Sequence, residues 1–140
     1  GDWWGAMTTC GTEGNMNALA HALRLHPDAH VYASRATHYS VEKICRNARA
    51  PYHVVDTNEF DEIDYERLRE QVTNSQHPCV VVCNIGTTMR SGVDSLGKIH
   101  RVLLDARVPF FIHCDAALAG MLIGNRLLDL CDSVSMKLDM

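Results

Sequence analysis

The chain has 140 residues, of which 46% are hydrophobic and 21% are charged, and its formal net charge is −4 at pH 7. These values are typical of one globular domain, and the acidic balance argues against nucleic acid or an anionic membrane surface as the main partner. The longest apolar runs, at residues 79–83 and 108–112, are too short to span a membrane.

The first predicted strand and helix lie close to the beginning of the chain. Residues 5–9 predict a short strand that ends in a glycine-containing turn. Residues 13–25 predict a helix, because apolar side chains recur at helical spacing until Pro27 stops it. The apolar side chains of this helix are Met16, Leu19, Ala20 and Leu23.

Two further strands then alternate with two helices. Residues 30–34 and 52–55 have the composition of short β-strands. Ser40 is a candidate N-cap for the helix between them, and Asp64 is a candidate N-cap for a helix over residues 65–72. The side chains expected to face the core from these two helices are Val41, Ile44, Cys45, Leu68 and Val72.

The second half of the chain contains two strongly apolar segments, at residues 79–85 and 109–114. Runs of this kind are typical of parallel strands that are buried on both faces. We expect Ser95 to open a helix between them and residues 133–136 to start another strand. The inward positions of the helix that follows Ser95 are Ile99, Val102 and Leu103.

The alternation of strands and helices predicts the fold class. Repeated βα units favour an open α/β architecture, with a mostly parallel sheet and helices on both faces. No internal repeat or linker is visible in the sequence. In sheets of this kind, ligands bind beyond the carboxyl ends of the strands, so the residues that follow the predicted strands are the candidates for a functional site.

Two of these loops carry groups that suit an anion and a flat ring. Gly11 and Thr12 precede a helix, where backbone N–H groups, a hydroxyl and the helix N-terminus favour negative charge. The alternative is a plain capping turn, which has the same composition. His38 follows another strand and offers an imidazole that can stack on an aromatic ligand. The alternative for His38 is an ordinary loop histidine.

Two other loops complete the set. Thr87 lies in Gly86-Thr87-Thr88, which is either a turn or a source of hydroxyl donors to a ligand. Asp115 ends an apolar strand, and it is either the cap of the next helix or a fixed negative charge for a cationic group. Ala117 is small enough for a flat ring to lie against it. A phosphate cradle, a stacking histidine, a small residue and a carboxylate together describe a site for pyridoxal 5′-phosphate.

The cysteines and histidines predict neither a metal centre nor a disulfide. The six cysteines include no Cys-x-x-Cys pair, and the eight histidines show no ligand spacing. Reduced thiols in a cytoplasmic protein are the preferred interpretation. The chain opens without an initiator methionine or a secretory leader, which suggests a fragment of a longer protein.

Four motifs occur in a characteristic order. They are Gly11-Thr12-Glu13-Gly14-Asn15, Thr37-His38-Tyr39-Ser40-Val41, Asn84-Ile85-Gly86-Thr87-Thr88-Met89 and His113-Cys114-Asp115-Ala116-Ala117-Leu118. In this order they resemble the group II pyridoxal-phosphate-dependent amino-acid decarboxylases, above all the branch of histidine decarboxylases and plant serine decarboxylases. The resemblance extends from about residue 4 to residue 136. It implies part of a fold type I large domain, like that of aspartate aminotransferase.

The resemblance also implies residue roles and partners. It places Gly11 and Thr12 at the phosphate, His38 stacked on the ring as a catalytic residue, Thr87 near the ring substituents, Asp115 at the pyridine nitrogen and Ala117 at the opposite ring face. The implied reaction is the decarboxylation of a small L-amino acid that is histidine-like or serine-like. Members of the family form homodimers with composite active sites.

The chain departs from the family pattern at the lysine that forms a Schiff base with the cofactor. In the family, a strand like residues 133–136 leads through Ser-Gly-His to that lysine, whereas here Lys137 follows Met136 directly. Lys137 is either the Schiff-base lysine after a loss of three residues or an unrelated residue, and the missing loop favours the second interpretation. We therefore expect a fragment with compromised activity that lacks the N-terminal segment and the small C-terminal domain.

Two alternatives to a decarboxylase stay open. One is another fold type I enzyme, such as an aminotransferase or a cysteine desulfurase. The other is a non-catalytic remnant that at most binds the cofactor or a full-length partner. The motifs around His38 and Thr87 favour a decarboxylase, and the altered lysine region favours the remnant.

Overall fold

A computed structural model describes residues 5–123 of the chain. In chain order, its elements are α1 (Gly11–Leu25), β1 (His30–Ser34), α2 (Ser40–Ala48), β2 (Tyr52–Val55), α3 (Tyr65–Ser75), β3 (Cys79–Asn84), α4 (Leu96–Ala106), β4 (Phe110–Asp115) and α5 (Gly120–Ile123). The predicted strand at residues 133–136 and Lys137 lie outside the described residues. The strands predicted at residues 30–34 and 52–55 are confirmed with the same bounds.

The four strands form one parallel sheet in the order β2-β1-β3-β4. This sheet, with helices between its strands, confirms the predicted α/β class. β3 and β4 pair along their whole length, so Asn84 at the end of β3 lies beside Asp115 at the end of β4. The carboxyl ends of these strands therefore bring polar side chains to the same edge of the sheet.

Two apolar clusters cover the two faces of the sheet. On one face, Val80 of β3 belongs to a cluster with Leu19 of α1 and Val41 of α2. On the other face, Val81 belongs to a cluster with Leu68 of α3 and Leu103 of α4. All six residues of β3 are buried, which confirms that this strand is covered on both faces. None of the helices in residues 5–123 has the length and apolar character that crossing a membrane requires.

The strand β4 is less buried than its apolar sequence predicts. Ile112 is buried, whereas the other five residues of β4 are partly exposed. Within the described part of the chain, β4 pairs with β3 alone and occupies an edge of the sheet. Within residues 5–123, β4 is therefore not buried on both faces as predicted, because no described strand pairs with its outer side.

The strand predicted over residues 5–9 is not formed. Residues 5–8 have no regular structure, and Met7 is fully exposed. The backbone N–H and the hydroxyl of Thr9 both donate to the Glu13 carboxylate, at 2.7 Å each. These bonds fasten the segment to the first turn of α1, which begins at Gly11, two residues before the predicted start.

The buried face of α1 also differs from the prediction. Asn15, Leu19 and Ala22 are buried, whereas Met16 is half-exposed and Ala20 is exposed. Of the four apolar residues in the predicted row, Leu19 is buried and Leu23 packs against the same cluster, so the row was half right. It missed the inward position that holds an amide. The reason for this polar residue is found in the site described below.

Two of the three predicted N-caps are confirmed. The side chain of Asp64 accepts two backbone N–H groups in the first turn of α3, and that of Ser95 accepts one in α4, which confirms both caps. The prediction for Ser40 was wrong, since Ser40 is the first residue of α2 and Tyr39 takes the N-cap position. The Ser40 hydroxyl bonds to the ring of His38 instead, so it serves the site and not the helix end.

Candidate active site

A cavity of about 240 Å³ lies at the carboxyl ends of the strands. Its lining includes all six residues predicted to contact a cofactor: Gly11, Thr12, His38, Thr87, Asp115 and Ala117. They come from α1, from the loop before α2, from the loop after β3 and from the end of β4 and the loop after it. The fold therefore brings to one place side chains that the sequence spreads over four segments.

The N-terminus of α1 forms one side of the cavity. Gly11 is the first residue of this helix, and a Cβ atom added there would lie 2.9 Å from the Cβ of Ala117, which is too close for two carbon atoms. The absence of a side chain at Gly11 therefore permits the close approach of α1 to the loop after β4. The backbone N–H of Glu13 lowers the pKa of the neighbouring Cys10 thiol, as expected where a helix N-terminus stabilises an anion.

Both oxygens of the Asp115 carboxylate are held by hydrogen bonds. Oδ2 accepts from Nδ2 of Asn15 at 2.8 Å, and Oδ1 accepts from the backbone N–H of Ala117 at 3.2 Å. The two interpretations of Asp115 are thus compatible, because one oxygen caps the turn that follows β4 while the residue also lines the cavity. The carboxylate is oriented before any ligand is bound.

His38 is held through one ring nitrogen. Its Nδ1 lies 2.8 Å from the Ser40 hydroxyl and 3.4 Å from the Ser40 backbone N–H. The Tyr39 ring lies against the imidazole, with 4.3 Å between the ring centroids. These contacts fix the plane of a partly exposed ring at the cavity wall.

Thr87 lines the cavity, but its hydroxyl already has two partners. Oγ1 donates to the Asp61 carboxylate at 2.5 Å and accepts from the backbone N–H of Gly92 at 2.9 Å. Its only proton is therefore used inside the protein, so toward a ligand this hydroxyl is an acceptor. Thr87 is also 3% exposed, which gives it a structural role that the sequence pattern did not indicate.

A second buried carboxylate holds the strand end that precedes Thr87. Asp94 accepts from the backbone N–H of Ile63 at 2.7 Å and from the backbone N–H and side-chain amide of Asn84, at 2.7 and 3.0 Å. Burial raises the pKa of Asp94, and these N–H donors oppose that shift. The contacts fix the end of β3, from which the loop with Thr87 departs.

Sequence analysis missed three residues of the site: Asn15, Ser40 and His113. Nδ2 of Asn15 bonds to Asp115, and its Oδ1 lies 2.8 Å from Nε2 of His113. The signal for Asn15 was its place on the helical row of Leu19, where a polar residue needs a buried partner. No comparable local signal existed for His113, whose partner is distant in the sequence.

The chain was compared with known protein families and with curated proteins. A family model described as the pyridoxal-dependent decarboxylase conserved domain matches residues 12–136. Serine decarboxylase 1 of Oryza sativa subsp. japonica is 40% identical over 125 residues, which are 87% of this chain and 26% of the rice protein. Histidine decarboxylase of Mesorhizobium japonicum is 44% identical over 119 residues, which are 84% of this chain and 32% of that protein.

A solved structure shares the fold. The crystal structure of mouse CSAD in apo form superposes with a TM-score of 0.77 at 24% sequence identity, covering 95% of this chain and 32% of the mouse chain. This likeness agrees with the parallel sheet and its flanking helices. The chain thus spans between a quarter and a third of the length of the proteins that it matches.

Proposed function

We propose, because this chain belongs to the pyridoxal-dependent decarboxylase family, that the protein containing it removes the carboxyl group of an L-amino acid with the help of pyridoxal 5′-phosphate. Membership of the family confirms the resemblance carried by the four motifs and the fold type I architecture that it implied. The observation that supports the activity most directly is that one cavity is lined by Gly11, Thr12, His38, Thr87, Asp115 and Ala117.

The residues around the cavity fit the three chemically different parts of this cofactor. The N-terminus of α1, with the Thr12 hydroxyl, suits a phosphate dianion. The Asp115 carboxylate, held on both oxygens, suits a protonated ring nitrogen. His38 has a fixed ring plane, and Ala117 offers little bulk, so the two suit the faces of an aromatic ring.

The chemistry of the site divides between the cofactor and the protein. When bound, pyridoxal 5′-phosphate supplies an electron-deficient ring that accepts the electron pair released when carbon dioxide leaves an amino acid. With the cofactor bound, the negative charge of Asp115 would favour a proton on the ring nitrogen, and the end of α1 would hold the phosphate. His38 would lie against the ring and exclude water from it. The Thr87 oxygen accepts a hydrogen bond, since its own proton is given to Asp61.

The substrate belongs to the proposal. The two curated relatives are named for serine and histidine, which favours a small polar or imidazole-bearing L-amino acid as the substrate. We also propose that the whole protein acts as a homodimer. The roles of His38 and of Lys137 remain predictions, and Lys137 lies outside the described residues.

The decisive experiment measures products from carboxyl-labelled amino acids. The full-length protein with pyridoxal 5′-phosphate is incubated with L-histidine or L-serine, and labelled carbon dioxide and the amine are quantified. Equal amounts of carbon dioxide and amine are expected from one substrate. A parallel incubation includes a 2-oxo acid as amino-group acceptor. Transfer of the amino group to it without release of carbon dioxide would replace the proposal with an aminotransferase, and cofactor binding without any product would replace it with a non-catalytic remnant.

A further inference from the structure

We propose that Asn15 is a positioning residue that orients the Asp115 carboxylate and the Ser40 hydroxyl that bonds to His38. The inference concerns the arrangement of this chain's own side chains, and its importance for catalysis rests on the proposed function. It starts from a hydrogen-bonded network that joins His113, Asn15, Asp115, Ser40 and His38 at the wall of the cavity.

Asn15 is a buried amide whose polar atoms all have partners. It is 4% exposed and lies on the inner face of α1. A buried amide is unfavourable unless its donors and acceptor are hydrogen-bonded. Nδ2 lies 2.8 Å from Asp115 Oδ2 and 3.4 Å from Ser40 Oγ, and Oδ1 lies 2.8 Å from Nε2 of His113.

The direction of each hydrogen bond follows from the carboxylate. An ionised Asp115 has only acceptors, so the NH₂ side of Asn15 faces it and the oxygen faces His113. His113 must then donate from Nε2. Burial lowers the pKa of His113, which agrees with a neutral ring that carries its proton on Nε2. His113 thereby prevents the amide from turning its oxygen toward Asp115.

The second branch of the network fixes His38. The Ser40 backbone N–H is a donor, and it points at Nδ1 of His38, so Nδ1 carries a lone pair. The Ser40 hydroxyl at 2.8 Å therefore donates to the same nitrogen, and its oxygen is left to accept the longer bond from Asn15. A neutral His38 consequently holds its proton on Nε2. The Asn15 amide thus orients both the Asp115 carboxylate and the hydroxyl that bonds to the imidazole.

Replacing Asn15 by leucine removes both donors while keeping a branched side chain of similar shape. Asp115 then keeps only the Ala117 N–H on Oδ1, and Ser40 loses the bond that directs its proton to His38. The matched control is Asn17→Leu, because Asn17 lies on the same helix but is exposed. Ser40→Ala interrupts the His38 branch alone.

The test uses the full-length protein and two readouts. In the cofactor-free protein with ¹⁵N-labelled histidine, imidazole NMR should show the Nε2–H form of His38 in every variant, because the Ser40 backbone N–H is kept. The Nδ1 resonance should shift in Asn15→Leu and in Ser40→Ala, where the hydroxyl bond to this nitrogen is disturbed or lost, and should stay at the wild-type position in Asn17→Leu. The Kd for pyridoxal 5′-phosphate should rise about ten- to a hundredfold in Asn15→Leu, as for the loss of a hydrogen bond to a charged group. It should stay unchanged in Asn17→Leu.

Either of two results would overturn the inference: an unchanged His38 Nδ1 resonance in Asn15→Leu, or an unchanged Kd in Asn15→Leu. If the wild type binds no pyridoxal 5′-phosphate, the proposed function fails, while the Nδ1 resonance still decides the role of Asn15. If Asn15→Leu does not fold, Asn15→Ala, which removes the same donors without added bulk, takes its place in both measurements.

Discussion

Asp115 is the side chain on which cofactor binding should depend most. Its carboxylate is oriented by Asn15 and by the Ala117 N–H, and it lines the cavity. We expect Asp115→Ala to reduce kcat by roughly a hundredfold or more, because a preorganised charge at the reacting ring is lost. Cofactor retention after gel filtration should fall in parallel, and Asp115→Glu, which keeps the charge, should be milder.

The control for Asp115→Ala is Asp28→Ala, a substitution of the same type at an exposed turn away from the cavity. It should leave both turnover and cofactor retention unchanged. Turnover near the wild-type value in Asp115→Ala would show that this carboxylate only caps the turn after β4.

Thr87 is expected to act mainly on stability. Thr87→Val removes the proton donated to Asp61 and the acceptor used by the Gly92 N–H, so two buried polar groups lose a partner. We predict a loss of roughly 2–4 kcal/mol in the free energy of unfolding. Thr88→Val, at the exposed neighbouring position, should change it by less than about 0.5 kcal/mol. Equal effects of the two substitutions in urea titrations would contradict this role.

Lys137 gives a prediction that rests on the sequence alone. A lysine that links to the cofactor aldehyde must reach it while the phosphate lies at Gly11 and Thr12, and the loop that provides this reach in the family is missing before Lys137. We therefore expect no covalent link at Lys137. The purified chain is mixed with pyridoxal 5′-phosphate, reduced with borohydride and mapped by mass spectrometry. Labelling selective for Lys137 over Lys43 and Lys98, and lost in Asp115→Ala, would make it the Schiff-base lysine.

At the scale of the elements, local signals predicted most of what the structure contains. β1 and β2 follow from short β-type segments, and the caps Asp64 and Ser95 act within their own first turns. The two caps depend only on residues within four positions in the chain. The two strands pair with distant segments, and there the tertiary contacts agree with the local β-type composition.

The predictions that failed depended on distant partners. Residues 5–9 have a strand-like composition but are fastened to Glu13, and β4 is apolar but lies at an edge of the described sheet. Asn15 faces inward because its partner Asp115 is 100 residues away. The four motifs predicted which residues line the cavity, whereas the bonds that orient them required the fold.

The loops after β2 and β3 pack so closely that only glycine fits between them. A Cβ added at Gly92 would lie 2.5 Å from the carbonyl oxygen of Asp61, which is backbone and cannot swing aside. We expect Gly92→Ala to cost about 1–3 kcal/mol of unfolding free energy. Gly97→Ala is the matched control, since a Cβ there meets nothing within 4 Å and alanine favours the helix.

Thermal or urea unfolding of the two glycine variants measures the effect. Gly97→Ala should be neutral or more stable by up to about 1 kcal/mol. Because Gly92 accepts no substitution without moving Asp61, the variant should also disturb Thr87. A stable Gly92→Ala protein would show that the loop after β2 is free to retreat from the cavity.

On the scale of the whole molecule, the carboxyl ends and the amino ends of the strands present different side chains. The carboxyl ends of the strands hold the cavity with its oriented Asp115 and His38. Three histidines lie at the amino ends of the strands: His30 begins β1, His53 is near the start of β2 and His77 precedes β3. Their rings stack on one another, with centroids 4.9 Å apart for His30 and His53 and 4.3 Å apart for His30 and His77.

This cluster favours neutral rings. Nε2 of His53 lies 2.9 Å from Nδ1 of His30, and a hydrogen bond between two imidazoles requires a lone pair on one of them. Burial lowers the pKa of His30, with further lowering from His53 and His77, and burial also lowers the pKa of His53. The other neighbours are Tyr32, which stacks on His53, and Ser75, whose hydroxyl lies 3.2 Å from His30. Among these contacts, no carboxylate compensates a charge on the rings.

The stability of the protein should therefore depend on pH below neutrality. A histidine whose pKa is lower in the folded state than its ordinary value of about 6.5 binds fewer protons when folded than when unfolded. Its contribution to stability is complete above about pH 6.5 and is lost as the pH falls through the folded-state pKa, with a slope of at most about 1.4 kcal/mol per pH unit for each ring.

We expect urea titrations of the full-length protein, at constant ionic strength, to show this decline between about pH 7 and pH 5. His30→Gln should flatten it by removing the ring that contacts both others, whereas His26→Gln, which lies outside the cluster, should leave the slope unchanged. An equal decline in the wild type and in His30→Gln would assign the pH dependence to other groups, such as the buried His113 beside Asn15.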